Sequence, residues 1–371
     1  MHSVAHTIEQ LAPRLPPALV APAAGSRLRA VAASLPAALT SWIYLECRLR
    51  SDAPRVDLIV RVDQRGRDIL AGNNPVLALD GALHSHPVWR DIGALAVEWS
   101  TPSSPMSAAV ERIWLEFDIP EAGDPLAAPA MPAPGVFIEL AREAYAQHRR
   151  DERCRVALAT LGNFLPEGML ADMTHTLRRC WELLPAGASI PYLGLFPARG
   201  SSAVRVSVAG LGDADLMAYL RAVRWPGSHR RLTSAIGLLT PPPRAPQPRM
   251  AIVNLDVGPV LGTGVGIEYV LSHAAQLHGG LLETAFLEKL VERGLSSAAK
   301  RDALLDWPSA SLQTMRHELW RSRASRRVNH VKLVCAGDGM PEVKAYLSAS
   351  HTFHPAHSSE RASNRMRHST R

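Results

Sequence analysis

The chain has few cysteines and few aromatic residues. Its four cysteines, Cys47, Cys154, Cys180 and Cys335, are widely spaced in 371 residues, and no two form a Cys-x-x-Cys pair. This spacing argues against a disulfide framework and against a zinc site built on cysteines, and it favours a reducing compartment. Aromatic residues make up only 5% of the chain.

Long apolar runs are also missing. No stretch reaches the roughly 18 uninterrupted apolar residues of a membrane span, and the N-terminus has no basic start followed by an apolar run, as a secretory signal would. Because 47% of the residues are hydrophobic, the chain can build a full core, which excludes disorder throughout. We therefore expect a cytoplasmic protein without a membrane partner.

The net charge of +7 is concentrated near the C-terminus. Residues 316–371 contain eleven Arg and Lys against four Asp and Glu, so the preceding residues are close to neutral. A nucleic-acid-binding protein usually carries its charge on a folded face interleaved with aromatics. We therefore expect no nucleic-acid partner, and residues 351–371 are predicted to be a basic, disordered tail.

Short segments of alternating polarity recur in pairs and predict five β-hairpins. The pairs are 42–50 with 55–63, 112–120 with 135–140, 190–196 with 204–210, 250–257 with 265–272, and 329–337 with 342–350. Helical patterns lie between them, at 25–38, 86–97, 141–184 with a break near Pro166, 212–223, 281–294 and 298–308. The proline-rich segment 241–248 separates two units of the same kind. We therefore predict one domain over 25–350, preceded by an N-terminal extension, 1–24.

Most of these strands have one apolar and one polar face, because successive side chains in a strand point to opposite faces. In the first strand, for example, Ile43 and Leu45 share one face while Tyr44 and Glu46 share the other. Two α+β architectures fit this pattern. One is an open antiparallel sheet with helices on one face. The other is a closed, ten-stranded antiparallel β-barrel surrounded by helices, which removes both sheet edges and leaves a lumen wide enough for a ligand.

Five αββα-like units in one chain resemble the αββα (ABBA) prenyltransferase-barrel family. The clearest local likeness is the segment Val343-Lys344-Ala345-Tyr346-Leu347, which resembles the strand that presents a Lys and a Tyr to the lumen of such enzymes. The resemblance implies transfer of an allylic prenyl group from a prenyl diphosphate to an aromatic or peptide acceptor. It implies no required cofactor and no metal site, with Mg²⁺ as an optional ion.

The resemblance also suggests roles for residues on the polar strand faces. Preplaced cations stabilise the negative charge that develops on a leaving diphosphate, and aromatic rings shield an allylic cation. Tyr346 would shield the cation, with Tyr44 as a second ring, and Glu116 would accept the proton, with Glu46 and Asp118 as rivals. The diphosphate would be held by Arg48, Arg61, Arg205, Lys332 and Lys344.

Two other functions remain open at this point. The polar face could belong to a non-catalytic peptide-binding or accessory protein of a natural-product pathway, with its charges paired on a wet sheet surface. Five ββα-like units with a late cysteine would also suit a guanidine-modifying hydrolase that uses Cys335 as its nucleophile. The alternation places Cys335 on the apolar face, which favours a buried structural thiol.

Overall fold

The structure is a computed structural model, whose side chains are described except in short stretches of four strands and at one helix end. It describes residues 3–36, 38–40, 42–50, 54–74, 83, 85–119, 133–141, 150–239, 249–271, 276, 284–314, 320–337 and 339–355.

Ten antiparallel strands form a closed barrel. The sheet runs from β1 to β8 in sequence order, then to β10 and β11, and β11 pairs with both β10 and β1 to close the ring. The barrel strands are β1 Trp42–Arg48, β2 Val56–Val62, β3 Val110–Phe117, β4 Gly135–Leu140, β5 Ser189–Leu195, β6 Val204–Ala209, β7 Arg249–Val257, β8 Leu261–Val270, β10 Trp320–Cys335 and β11 Glu342–Pro355. This confirms the predicted barrel, and the open-sheet alternative is wrong.

Helices connect the hairpins and pack on the outside of the barrel. They are α1 Val4–Leu11, α2 Pro22–Ser34, α3 Gln64–Leu70, α4 Pro87–Ser100, α5 Pro105–Ala109, α6 Arg150–Gly162, α7 Glu167–Glu182, α8 Asp213–Ala222, α9 His229–Leu239, α10 Thr284–Glu292 and α11 Ala298–Asp306. Within the described ranges, none of these helices is long and apolar enough to cross a bilayer.

The two faces of the strands contribute to different parts of the molecule. Ile43, Leu45 and Cys47 of β1 pack in the large core between barrel and helices, together with Trp89 and Ile92 of α4. Tyr44 of the same strand belongs instead to a small separate cluster with Ile59 and Tyr346 inside the barrel. The apolar outer face therefore holds the helices, and the polar face lines a lumen.

All five hairpin turns lie at one end of the barrel, because each hairpin consists of neighbouring antiparallel strands. We call this the turn end and the opposite end, where strands lead into helices, the helix end. The hairpins are formed by β1 with β2, β3 with β4, β5 with β6, β7 with β8, and β10 with β11.

Several elements differ from the prediction. Strand β9, Ser309–Thr314, pairs with the first part of β10 outside the ring, so the basic segment 321–327 lies in a strand. Strand β11 continues to Pro355, beyond the predicted domain end at residue 350, while residues 356–371 lie outside the described residues. In the predicted N-terminal extension, α1 buries Val4 and Ile8 in the core.

One strand glycine makes room for an aromatic ring in the lumen. Gly194 of β5 lies opposite Phe137 of β4, and a Cβ placed on Gly194 would lie 2.6 Å from the Phe137 ring. Real side chains do not approach this closely, so any larger residue must push the ring towards the middle of the barrel.

We predict that Gly194→Ala lowers the free energy of unfolding by about 1–3 kcal/mol, the usual cost of overpacking. Urea denaturation followed by circular dichroism measures it. The matched control is Gly237→Ala on the exposed side of α9, where no atom lies within 4 Å of the added Cβ. This control should stabilise the protein by about 0.5–1 kcal/mol, because alanine favours a helix. Equal effects of the two changes would contradict the close approach.

Candidate active site in the barrel lumen

The lumen contains a cavity of about 250 Å³ with aromatic and charged walls. Its aromatic lining is Tyr44, Trp114, Phe137, Tyr192 and Tyr346. Its polar lining is Glu116, Arg205, Ser207, Asn254, Glu268, Asn329, His330 and Lys332. A cavity with apolar rings and a few convergent polar groups is the usual form of a small-molecule site.

Three of the predicted cations come together in this lumen. Lys332 of β10 and Lys344 of β11 lie directly opposite each other in the strand register. Residues in such positions have Cβ atoms about 4.5–5.5 Å apart. Arg205 of β6 is close enough that its charge and that of Lys344 both act on Lys332. Burial lowers the pKa of Lys332, and these two neighbouring cations lower it further.

Each of these three cations has a carboxylate partner. Lys344 Nζ lies 2.5 Å from Glu46 Oε1, and Lys332 Nζ lies 3.4 Å from Glu268 Oε1. Arg205 donates two hydrogen bonds to Asp256, at 2.8 and 3.1 Å. The cations are therefore held in place by acids on neighbouring strands rather than by solvent.

Glu46 is the most strongly held of these acids. Its side chain is 3% exposed, and it accepts hydrogen bonds from Lys344 and from the Tyr346 hydroxyl. Burial alone would raise the pKa of Glu46. Lys344 and these hydrogen bonds outweigh the burial and lower that pKa to about 2, so Glu46 stays ionised.

Tyr346 lies in the middle of the lumen, where its ring is fixed on two sides. The His330 ring stacks on it with centroids 3.9 Å apart, and its hydroxyl donates to Glu46. Burial raises the pKa of Tyr346 well above its ordinary value, so the phenol stays neutral. A neutral, oriented ring of this kind can face a carbocation.

Glu116 lies on β3 at the cavity wall, as the alternation predicts. Its Oε1 accepts a hydrogen bond of 2.5 Å from Arg199, which also binds Asp118. Its Oε2 accepts no hydrogen bond from the described residues. Burial raises the pKa of Glu116 and the charge of Glu46 adds to this, while Arg199 opposes both. A carboxylate with a raised pKa and one available oxygen can accept a proton.

Of the other two predicted cations, Arg48 lies at the edge of this cluster and Arg61 lies apart from it. Arg48, at the turn end of β1, contacts Asp57 at 3.4 Å and Glu342 at 3.3 Å. Arg61 lies towards the helix end of β2, with its guanidinium carbon 4.1 Å from the centroid of the Trp42 ring. The structure thus brings Arg205, Lys332 and Lys344 together and leaves Arg61 at the opposite end of the barrel.

Sequence reasoning missed several residues of the site. Arg199 lies in a short 3₁₀ turn, Pro197–Arg199, where no alternation indicates a face. A chain of hydrogen bonds runs from Ser207 through Asn254 to Glu268. Ser207 donates to Asn254 at 2.7 Å, and Asn254 donates to Glu268 at 2.9 Å. The polar face of β8 could have indicated Glu268, which lies directly opposite Lys332.

Cys335 lies away from the lumen, on the outer face of β10. It borders a surface cavity whose described lining includes Arg230, Arg231 and Ser234 but no His or Asp. Burial raises the pKa of the Cys335 thiol to about 11, which opposes formation of a thiolate nucleophile. Within the described part of the chain, no group of three or more His, Cys, Asp and Glu side chains could hold a metal ion.

Two solved structures share this architecture over nearly the whole chain. A 6-dimethylallyl tryptophan synthase superposes with a TM-score of 0.52 and 12% identity, covering 93% of this chain and 96% of its own. PriB in a binary complex with product diphosphate superposes with a TM-score of 0.51 and 19% identity, with the same coverage of 93% and 96%. No protein-family model and no curated protein matches the sequence. The closed ring of five hairpins inside a layer of helices therefore has the αββα prenyltransferase-barrel fold.

Proposed function

We propose that this protein transfers an allylic prenyl group from a prenyl diphosphate to an aromatic acceptor, either a free molecule or an aromatic side chain of a peptide. The observation that carries the proposal is the cluster of Arg205, Lys332 and Lys344 beside an aromatic cavity and a buried carboxylate. That PriB binds product diphosphate in the same fold supports a diphosphate as the ligand of these cations. The similarity to a 6-dimethylallyl tryptophan synthase supports an aromatic acceptor.

In this reaction the allylic C–O bond breaks, and the diphosphate leaves with the electron pair. Arg205, Lys332 and Lys344 stabilise its developing charge, because cations fixed in a shielded lumen need little reorganisation. The ring of Tyr346 faces the allylic cation. A carbon of the aromatic acceptor then forms a C–C bond to the allylic carbon, and the ring proton passes to Glu116. The proposal assigns the diphosphate to these three side chains and routes no step through a metal ion.

A thermal-shift titration with dimethylallyl, geranyl and farnesyl diphosphates, with and without Mg²⁺, tests the diphosphate site. At 100 times its dissociation constant, a bound diphosphate should add roughly 2.7 kcal/mol to the free energy of unfolding. We expect the double variant Lys332→Gln/Lys344→Gln to lose this shift. Its own melting temperature without ligand is the baseline for the comparison, and it should be lower because Glu46 and Glu268 lose their charged partners. Glutamine keeps much of the length and polarity of lysine but not its charge.

The matched control is Arg178→Ala/Arg221→Ala, which removes two exposed positive charges from the outer helices α7 and α8. Its shift should equal that of the unchanged protein. No shift with any of the three diphosphates would reject the transferase and favour a non-catalytic binding protein. A shift that survives in the lysine variant would place the diphosphate elsewhere.

Glu116→Gln should lower kcat for prenyl transfer by about 10²- to 10⁴-fold, the usual contribution of a positioned general base. The affinity for the diphosphate should change little, because the lumenal cations remain. Asp118→Asn is the control, since Asp118 shares Arg199 with Glu116 but is half exposed. The value of kcat is measured from product formation by chromatography. An equal loss of kcat in the two variants would assign Glu116 a structural role.

The rate should fall on the acid side with an apparent pKa above the ordinary glutamate value of about 4.3. Burial and Glu46 raise the pKa of Glu116, and a bound diphosphate adds negative charge that acts in the same direction. Because the base must be ionised, activity is lost as the pH falls through this pKa. A pH profile of kcat tests this, and an acid limb at or below pH 4 would contradict the assignment of Glu116.

A further inference from the structure

His330 lines the lumenal cavity but has no part in the reaction described above. It lies on β10, directly opposite Tyr346 of β11. Its ring is nearly parallel to that of Tyr346, at an interplanar angle of 22°, and the two centroids are 3.9 Å apart. Because no atom fits between rings at this distance, His330 covers one face of Tyr346.

A ligand in the cavity can therefore reach only the opposite face of Tyr346. Among the described residues, no other ring stacks on Tyr346, and its hydroxyl is bound by Glu46. Tyr346 also lines the cavity. An allylic cation that is shielded by Tyr346 thus meets a phenol ring with an imidazole ring packed directly behind it.

The hydrogen bonding of His330 favours an uncharged ring. The amide nitrogen of Asn329 lies 2.9 Å from Nδ1 of His330. Since an amide nitrogen is a donor, Nδ1 accepts this hydrogen bond, and the single proton of the neutral imidazole is on Nε2. An imidazolium carries a proton on both nitrogens, so it would place two donors against each other at Asn329.

The charged groups around His330 act on it in both directions. Glu268 of β8 has its Oε2 3.7 Å from Nε2, which is too far for a hydrogen bond, and Nε2 has no hydrogen-bond partner among the described residues. Burial lowers the pKa of His330 most strongly, and Lys332 lowers it further, while Glu268 and Glu46 raise it. Tyr346, on the other side, is a neutral phenol. The pKa of His330 lies below its ordinary value, so the ring is uncharged at neutral pH.

We propose that His330 is a positioning residue, whose neutral ring supports Tyr346 from behind and directs the allylic cation to the open face of the phenol. This inference rests on the proposed function. A cation is attracted to the face of an aromatic ring because that face carries the negative part of the ring quadrupole. An imidazolium on the rear face would draw on the same electron density and repel the allylic cation across the ring. The role therefore requires a ring that is both packed and uncharged.

Two diphosphates that differ in charge but not in shape test this role. In 2-(dimethylamino)ethyl diphosphate, an ammonium nitrogen replaces the branched carbon that shares the charge of the allylic cation, and 3-methylbutyl diphosphate is its uncharged counterpart. Isothermal titration at pH 8 should show the ammonium compound binding about 2- to 30-fold more tightly, as expected for one cation–π contact. This preference should disappear between pH 7 and pH 5, because His330 becomes protonated as the pH falls through its pKa. The charge of the diphosphate is common to both compounds and cancels in the comparison.

Three variants separate the support of Tyr346 from the titration of other groups. His330→Phe keeps a packed ring that takes up no proton, so the preference at pH 8 should stay within about twofold and should fall much less at pH 5. His330→Ala removes the packed ring and should lose the preference at every pH. The matched control is His175→Phe on the exposed side of the outer helix α7, which should behave like the unchanged protein.

Two results would overturn the role of His330. One is an equally large loss of the preference at pH 5 in His330→Phe, because the titrating group would then be another one, such as Glu116. The other is an undiminished preference at pH 8 in His330→Ala, because Tyr346 would then need no ring behind it.

The same titrations distinguish this proposal from the function on which it rests. Binding of both diphosphates without a preference for the ammonium compound at pH 8 would overturn the role of His330 and leave the diphosphate site intact. Failure of both compounds to bind at any pH would reject the prenyl diphosphate as a ligand, and both proposals with it.

Discussion

Closure of the sheet by β11, which pairs with both β10 and β1, determines the character of the lumen. An open sheet would leave its polar face in bulk water, where ion pairs contribute little. In the closed barrel Glu46, Lys332 and Glu116 are each at most 6% exposed. Burying an unpaired charge costs several kcal/mol, so these side chains need partners within the barrel. Antiparallel register supplies them, since Lys332 lies directly opposite Glu268 and Arg205 directly opposite Asp256.

This pairing of cations with carboxylates determines the free energy with which an anionic ligand can bind. A diphosphate bound as proposed would enter a lumen whose cations already contact carboxylates, so its binding would exchange ion pairs rather than fill an empty positive site. Long Lys and Arg side chains can make this exchange by rotating their ends while their strands stay fixed. Because the paired charges are already removed from water, the cost of their desolvation is met when the protein folds. The net affinity therefore depends on the difference in free energy between the contacts that the cations make with the carboxylates and those that they make with the diphosphate.

The sequence could predict the faces of the strands but not the height of each residue along the barrel. Alternation has a period of two and assigns Arg61, Arg205 and Lys344 to the same face equally well. It carries no information on register between distant strands, so the alternation groups Arg61 with Lys344, although the two lie about six residues, or about 20 Å, apart in the strand direction. Lys332 and Lys344 were predictable as neighbours because a short hairpin joins them. Arg199 was not, because its turn has no periodic pattern.

The Lys344–Glu46–Tyr346 chain connects the charged part of the lumen to its aromatic part. Glu46 accepts hydrogen bonds from both Lys344 and the Tyr346 hydroxyl. If an anion draws Lys344 away from Glu46, the Tyr346 hydroxyl is the one of these two donors that still binds the carboxylate. A phenol that donates more fully to a carboxylate has more electron density in its ring, which strengthens attraction to a cation at the ring face. In the proposed reaction, diphosphate binding and shielding of the carbocation would therefore be linked through one buried glutamate.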